Sequence, residues 1–266
     1  MGTGLLVLTG AILADAFLIE KLLIETNKFY IGKATRKTKN IRIVQISDLH
    51  LRSINYRLTR LAKKLNKLKP HLLVLTGDAI DKANNIGLLQ EFLQLIDFNV
   101  QKASILGNWE YQGKVDLTAL NKLYNSQNCK LLINQTLQYT FYNKSVAITG
   151  VDDYLCGRPD FNAALENYRE SDYHIVLTHC PRYSDHLSMP TGKDVNIDFI
   201  LAGHTHGGQI TLFGYVPYTP RGSGRYVKGW YKDRHPHLYV SKGIGTVSIP
   251  LRFGARPELT VFYLST

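Results

Sequence analysis

The chain has 266 residues, 44% hydrophobic content and a formal net charge of +11, which excludes a disordered chain and allows a sizeable buried core. Three widely separated cysteines, Cys129, Cys156 and Cys180, form no disulfide framework or zinc knuckle and read as free core thiols. The positive balance points to an anionic partner: nucleic acid, an acidic lipid surface or a phosphorylated substrate.

The stretch from Gly4 to Ile24 is strongly apolar but carries Asp15, Glu20 and Lys21. Spanning a bilayer takes about 20 apolar residues, and an aspartate at mid-depth costs about 3 kcal/mol. No Lys or Arg precedes the stretch, so a cleaved signal peptide is not indicated. The reading is a tilted or interfacial membrane anchor, with residues 1–40 as anchor and basic linker and residues 41–266 as one domain. Lys28, Lys33, Arg36, Lys37 and Lys39 follow the apolar run. The positive-inside rule then places the domain on the cytoplasmic side.

From Ile41 onward, short apolar runs alternate with amphipathic stretches. "IRIVQIS", "LLVLT", "ASIL", "VAITG", "HIVLT", "FILA", "LYVS" and "LTVFYL" read as strands. Helical spacing relates Leu58, Leu61, Leu65 and Leu68, with Arg60, Lys63, Lys64 and Lys67 on the opposite, solvated side. It recurs across 86–96 and 116–125. The order is βαβ units first and closely spaced strands later, an α/β pattern.

Polar clusters follow five of these strands: "SDLH" at 47–50, "TGD" at 76–78, "LGNWE" at 106–110, "THCP" at 178–181 and "GHTH" at 203–206. Ligands of α/β sheets bind beyond the carboxyl ends of strands. The clusters supply Asp48, His50, Asp78, Asn108, His179, His204 and His206. His204 and His206, two apart, share one side of an extended segment. Any one of these residues could serve a turn, a cap or a polar loop. Together, imidazole, carboxylate and amide oxygen form a set suited to Mn, Fe, Zn or Co, without the thiolates of a structural zinc site. Seven donors exceed one tetrahedral ion and suit two ions about 3.5–4 Å apart that share a carboxylate.

In order, Asp48-X-His50, Gly77-Asp78, Gly107-Asn108, His179 and Gly203-His204-X-His206 resemble the signature of the calcineurin-like metallophosphoesterases, over a region from about Ile41 to the end. "GVDD" at 150–153, "GHTHGGQI" and "YVSKGIGTVSIPLRFGARPELTVFYL" look like a membrane-linked bacterial branch that includes the UDP-2,3-diacylglucosamine pyrophosphatases. The resemblance implies a four-layer α/β/β/α sandwich with a dinuclear site above it. It implies Asp48, His50 and His206 on one metal, Asn108, His179 and His204 on the other, and Asp78 bridging. Asp78, Asn108 and His204 take the catalytic role, and the glycines let substrate phosphate come close. The implied cofactor is a pair of divalent ions, Mn²⁺ first, with Fe, Zn or Co as alternatives. The implied reaction is hydrolysis of a phosphodiester or pyrophosphate bond in a lipid- or nucleotide-linked substrate at a membrane surface, with no nucleic-acid partner.

One position departs from the pattern. Many relatives place a histidine after the metal-binding asparagine, where this chain has Trp109. An indole N–H donates a hydrogen bond but cannot act as a general acid. Glu110, which usually supports that histidine, is left without its usual task. Either the chain is a non-catalytic metal-binding scaffold, or its leaving group needs no acid, as for a phosphate whose second pKa is about 6. The basic charge motivates a further alternative, a nuclease or cyclic-nucleotide phosphodiesterase. Trp109, Arg182 and Arg225 are the expected substrate contacts, and Arg221, Lys228 and Trp230 lie near the same loops. His71, His174, His186, His235 and His237 match no ligand position and are assigned structural roles.

Overall fold

The computed structural model describes residues 20–187, 195–212, 214–233, 235–247 and 249–266. Along the chain the strands are β1 (Glu25–Ile31), β2 (Asn40–Ile46), β3 (Leu72–Thr76), β4 (Gln101–Ile105), β5 (Cys129–Leu131) and β6 (Gln135–Phe141). They continue with β7 (Lys144–Gly150), β8 (Tyr173–Leu177), β9 (Phe199–Ala202), β10 (Gly229–Tyr231), β11 (His237–Val240) and β12 (Glu258–Ser265). The helices are α1 (Tyr56–Leu68), α2 (Ile86–Gln94), α3 (Asn108–Gln112), α4 (Leu117–Ser126), α5 (Phe161–Ala164) and α6 (Ser184–Leu187).

Two six-stranded sheets result, ordered β1-β12-β2-β3-β4-β5 and β10-β11-β9-β8-β7-β6. In the first, β2 to β5 run parallel and β12 lies antiparallel to β2. In the second, β7, β8, β9 and β11 are parallel, with β6 and β10 antiparallel at the edges. Ile41, Ile43, Leu72, Val74 and Ile105 of one sheet meet Ile148, Ile175, Leu177, Phe199 and Leu201 of the other. The outer face of the first sheet, with Val44, Ile46, Leu73 and Leu75, is covered by Leu58 and Leu61 of α1, Phe92 of α2 and Leu120 of α4. Phe161 of α5 and Leu187 of α6 cover Val176, Ile200 and Val240 on the other side. The architecture is the expected α/β/β/α sandwich. Because both faces of the first sheet are covered at its centre, β3 is buried at all five positions and reads as an unbroken apolar run.

The amino-terminal region differs from its reading as a linker. Residues 25–31 form edge strand β1, paired in parallel with β12 from Glu25 and Glu258 to Ile31 and Leu264. Polar Thr26, Asn27 and Lys28 hide this strand, while Phe29 packs on Trp230, Tyr239 and Phe262. Just before it, Glu20–Leu22 makes a 3₁₀ turn, and buried Glu20 accepts the Gly254 N–H at 2.9 Å. Residues 1–19, most of the expected anchor, lie outside the described residues. Among the described residues, no helix is long and apolar enough to cross a membrane.

His174 on β8 shows how this core responds to acid. Its ring is buried, with Nε2 at 2.7 Å from Thr149 Oγ1 and Nδ1 at 3.2 Å from the Asn196 carbonyl. Burial outweighs the carbonyl and lowers its pKa to about 4. The unfolded chain therefore takes up this proton first. The stabilising effect is complete above about pH 6.5 and is lost as pH falls toward 4, by about 2 kcal/mol at pH 5. Chelator-treated His174→Gln should show a correspondingly smaller stability difference between pH 7 and pH 5 than wild type. Equal acid sensitivity in denaturant titrations would contradict this account.

Candidate metal centre

Strands β2, β3 and β4 of the first sheet and β8 and β9 of the second end at one edge, and the seven donors follow within a few residues of those ends. Five of them depart from extended backbone: φ is 52° at Asp48, 45° at His50, 53° at Asp78, 73° at His204 and 52° at His206. A left-handed residue that is not glycine is uncommon and costs on the order of 1 kcal/mol or more. This backbone turns the side chains inward over the sheet edges. It also separates His204 from His206, which join different groups instead of sharing one side of a strand.

The first group is Asp48, His50 and His206, and the second is Asp78, His179 and His204, with donor atoms within 4.8 Å of one another in each. His50 Nε2 lies 3.1 Å from His206 Nε2, which is 3.5 Å from Asp48 Oδ1. His179 Nε2 lies 3.0 Å from Asp78 Oδ2 and 3.2 Å from His204 Nδ1. Asp78 Oδ2 is also 3.8 Å from His50 Nε2, so this carboxylate stands between the groups. Asn108 Oδ1 is buried and has no hydrogen-bond partner. Facing imidazole nitrogens, buried carboxylates and an orphaned amide oxygen fit a cation, because the lone pairs that meet here repel one another and the Asn108 oxygen is desolvated without a partner. The donor set suits a dinuclear divalent centre.

The neighbouring groups fix which nitrogen faces inward. His179 Nδ1 donates to the Thr76 carbonyl at 2.8 Å, and His204 Nε2 donates to the Arg221 carbonyl at 2.6 Å. His50 Nδ1 pairs with Asp81, which also accepts from Arg52 Nε at 3.1 Å. The remaining nitrogens keep lone pairs for an ion. The Asp48 carboxylate accepts the His204 N–H at 3.0 and 3.1 Å, and Asp78 Oδ1 accepts the Trp109 N–H at 2.9 Å.

Glu110 has a task other than supporting a histidine side chain. Its oxygens accept the N–H groups of Asp78 at 3.1 Å, Ala79 at 2.7 Å, Ile80 at 3.3 Å and Gly107 at 2.8 Å. It clamps the two loops that present Asp78 and Asn108. Arg252, fully buried, donates to the carbonyls of Gly245 at 2.5 Å and Ala255 at 2.8 Å, and its Nη2 lies 3.4 Å from His206 Nδ1.

Charges follow this geometry. Burial favours protonated Asp78, but the His179 imidazolium reverses this and holds the carboxyl below its usual range. Burial likewise disfavours charged His179, and Asp78 overrides it, raising the imidazole well above normal. His206 is pushed far down by burial, with the His50 and Arg252 charges adding to the effect. Protons and cations therefore compete for the same atoms.

A cavity of about 690 Å³ opens over Asp78, Asn108, His204 and His206. Trp109, Leu155, Ile210, Pro217, Tyr218, Val247 and Ile249 supply apolar lining, and Gln112, Cys156, Gln209 and Arg221 are polar. Of the expected substrate contacts, Trp109 is in the lining. Arg182 and Arg225 are not: Arg182 is exposed elsewhere, and Arg225 pairs with Asp233 at 2.5 Å. Lys228 donates to the Gly254 carbonyl at 3.3 Å, and Trp230 packs on Phe29 and Phe199. Cys156 is exposed, unlike buried Cys129 and Cys180.

The glycines make room for neighbouring protein atoms. A Cβ on Gly203 would lie 2.0 Å from Ser47 Oγ and 2.6 Å from Asp48 Oδ2. Asp81 and Arg252 escaped the sequence reading. Asp81 had one signal, a carboxylate three residues after the candidate metal donor Asp78. Arg252 had none.

Asp81→Asn keeps a hydrogen-bonding side chain beside His50 but removes its charge. Mn²⁺ affinity of chelator-treated protein should fall about 10–100-fold by calorimetry. Unchanged affinity would mean that Asp81 does not orient the ligand.

Residues 41–208 match the family model for calcineurin-like phosphoesterases. The uncharacterized metallophosphoesterase YkuE of Bacillus subtilis is 35% identical over 234 residues, covering 85% of this chain and 79% of YkuE. YkoQ of the same organism, also an uncharacterized metallophosphoesterase, is 32% identical, covering 84% of this chain and 83% of YkoQ. Among solved structures, the NAD nucleotidase NadN of Haemophilus influenzae aligns with a TM-score of 0.50 at 16% identity, over 77% of this chain and 46% of that one. A 5'-nucleotidase precursor from Thermus thermophilus aligns with a TM-score of 0.50 at 13% identity, over 86% of this chain and 55% of that one. These two likenesses concern the fold alone, and this chain spans about half of either protein. With its two groups of buried metal donors in place, the chain is a metal-dependent phosphoesterase and belongs to the calcineurin-like phosphoesterase family.

Proposed function

We propose that the chain hydrolyses a phosphodiester or pyrophosphate bond in a lipid- or nucleotide-linked substrate, the class represented by UDP-2,3-diacylglucosamine pyrophosphatases. We further propose Mn²⁺ as the ion at both donor groups and a cytoplasmic membrane surface as the place of action. The observation that carries this reading is the cavity of about 690 Å³, with metal donors at its base and apolar side chains on its walls. A phosphate seats at the base while an apolar moiety lies against Leu155, Ile210, Tyr218 and Ile249.

When bound, paired divalent ions supply a hydroxide nucleophile near neutral pH and neutralise charge on the phosphoryl oxygens. The chain's own residues position the substrate. Arg221 is exposed in the lining, where its guanidinium can meet a nonbridging phosphate oxygen. Trp109 closes one wall, its ring centroid 6.0 Å from that of His50, and shields the base of the cavity from water.

No imidazole or carboxylate lines this cavity apart from the metal donors, among the described residues. With no imidazole or carboxylate acid at hand, the leaving oxygen departs as an anion, and the Tyr218 hydroxyl and Cys156 thiol that also line the cavity give it no proton.

Chelator-treated protein should lose hydrolysis of bis(p-nitrophenyl) phosphate and regain it with Mn²⁺, and Asp78→Asn should lower the rate at least about 100-fold. Full activity after both treatments would refute the reading. Across aryl diesters the rate should drop about tenfold per unit rise in leaving-group pKa, the steep dependence of an uncatalysed departure. A flat series would reveal an acid the proposal lacks.

A further inference from the structure

Five of the large apolar side chains exposed on the described surface, Leu22, Tyr56, Leu155, Tyr218 and Ile249, line the cavity of this site or the one beside it. Tyr218 is 72% exposed and Ile249 52%, both in the lining of the main cavity. A second cavity of about 260 Å³ lies beside His50 and carries Leu22 and Tyr56, 49% and 75% exposed. The cavities are neighbours. Val247 and Ile249 line one, Thr246 and Pro250 the other. Between Ile210 and Pro217 of the main lining, Leu212 and Tyr215 exchange two backbone hydrogen bonds of 2.8 Å in a tight hairpin. Their side chains are 44% and 69% exposed.

We propose that the mouth of these cavities is a docking face for an anionic lipid bilayer. Three observations select that occupant. First, the apolar stretch from Gly4 joins the described fold at Glu20–Leu22, and Leu22 is itself part of the face. Second, the exposed residues are tyrosines and aliphatics on separate segments of the chain. Tyrosine places its ring in the apolar region and its hydroxyl at the headgroup level. Third, Arg52 and Arg221 are exposed among them, on a chain with a net charge of +11, which suits acidic headgroups. A bilayer at the mouth lets an amphiphile pass its phosphate to the metal donors while its apolar part moves along the cavity wall. This rests on the function proposed above only for what is hydrolysed; the docking face stands on its own observations.

The test uses the full chain and large unilamellar vesicles of phosphatidylcholine with or without phosphatidylglycerol. Leu212→Ser combined with Tyr215→Ser removes apolar contact while leaving the hairpin's backbone bonds, and should lower the bound fraction about tenfold. Phe98→Ser should bind like wild type, since Phe98 is 61% exposed just before β4, at the opposite ends of the strands. Tyr215→Trp should then lose its added fluorescence in vesicles of brominated lipid, while Phe98→Trp should keep it. Binding with neither tryptophan quenched would show tethering by the amino-terminal stretch alone and overturn the proposal. No vesicle binding would overturn it, as would self-association that the hairpin variant abolishes. Hydrolysis of bis(p-nitrophenyl) phosphate by the hairpin variant should be unchanged. A wild-type protein that docks without hydrolysing any phosphodiester or pyrophosphate would refute the proposed function and leave the docking face intact.

Discussion

Two pairs of imidazole nitrogens face each other in this protein, His50 with His206 at 3.1 Å and His179 with His204 at 3.2 Å. Lone pairs at such distances repel, and buried ones have no water to separate them. Only a proton or a cation between them makes the arrangement stable. Asp48 and Asp78 add negative charge at the same points, which favours a doubly charged ion. The loops, the tautomers and the position of Glu110 all serve to keep these atoms together.

The fold meets that constraint by ending five strands at one edge and turning the backbone immediately. Left-handed conformations at five donor positions are local strain, and the surrounding hydrogen bonds hold them in place. Glu110 gathers four N–H groups from two loops. Burial and the Asp78 charge raise its carboxyl toward the protonated form, opposed by the N–H donors it receives. Trp109 contributes its backbone N–H to Asp78 and its ring to the cavity wall. The position that departs from the family pattern thus still supports the metal donors through its main chain.

The residues of the two candidate donor groups were legible in the sequence because each closely follows an apolar run, so strand and loop announce one another. Strands buried on both faces, such as β3, were equally plain. Strand β1 was not, since an edge strand with Thr26, Asn27 and Lys28 looks like a polar linker. Strands β5 and β10 have only three residues each, too few for a period to show. Arg221 and Arg225 are both exposed loop arginines four residues apart. Nothing one-dimensional tells that the first lines the cavity while the second is held by Asp233. The glycines were legible as points of close approach, but what approaches, Ser47 and Asp48 at Gly203, is a tertiary fact.

Each donor group is drawn from both sheets: Asp48 and His50 follow β2 while His206 follows β9, and Asp78 follows β3 while His179 and His204 follow β8 and β9. An ion held there acts as a rivet through the seam of the sandwich. Prying the layers apart and losing the ion then become a single event, linked through one equilibrium. Mutations deep in the seam, far from any phosphate, can thereby loosen the grip on metal without touching a ligand.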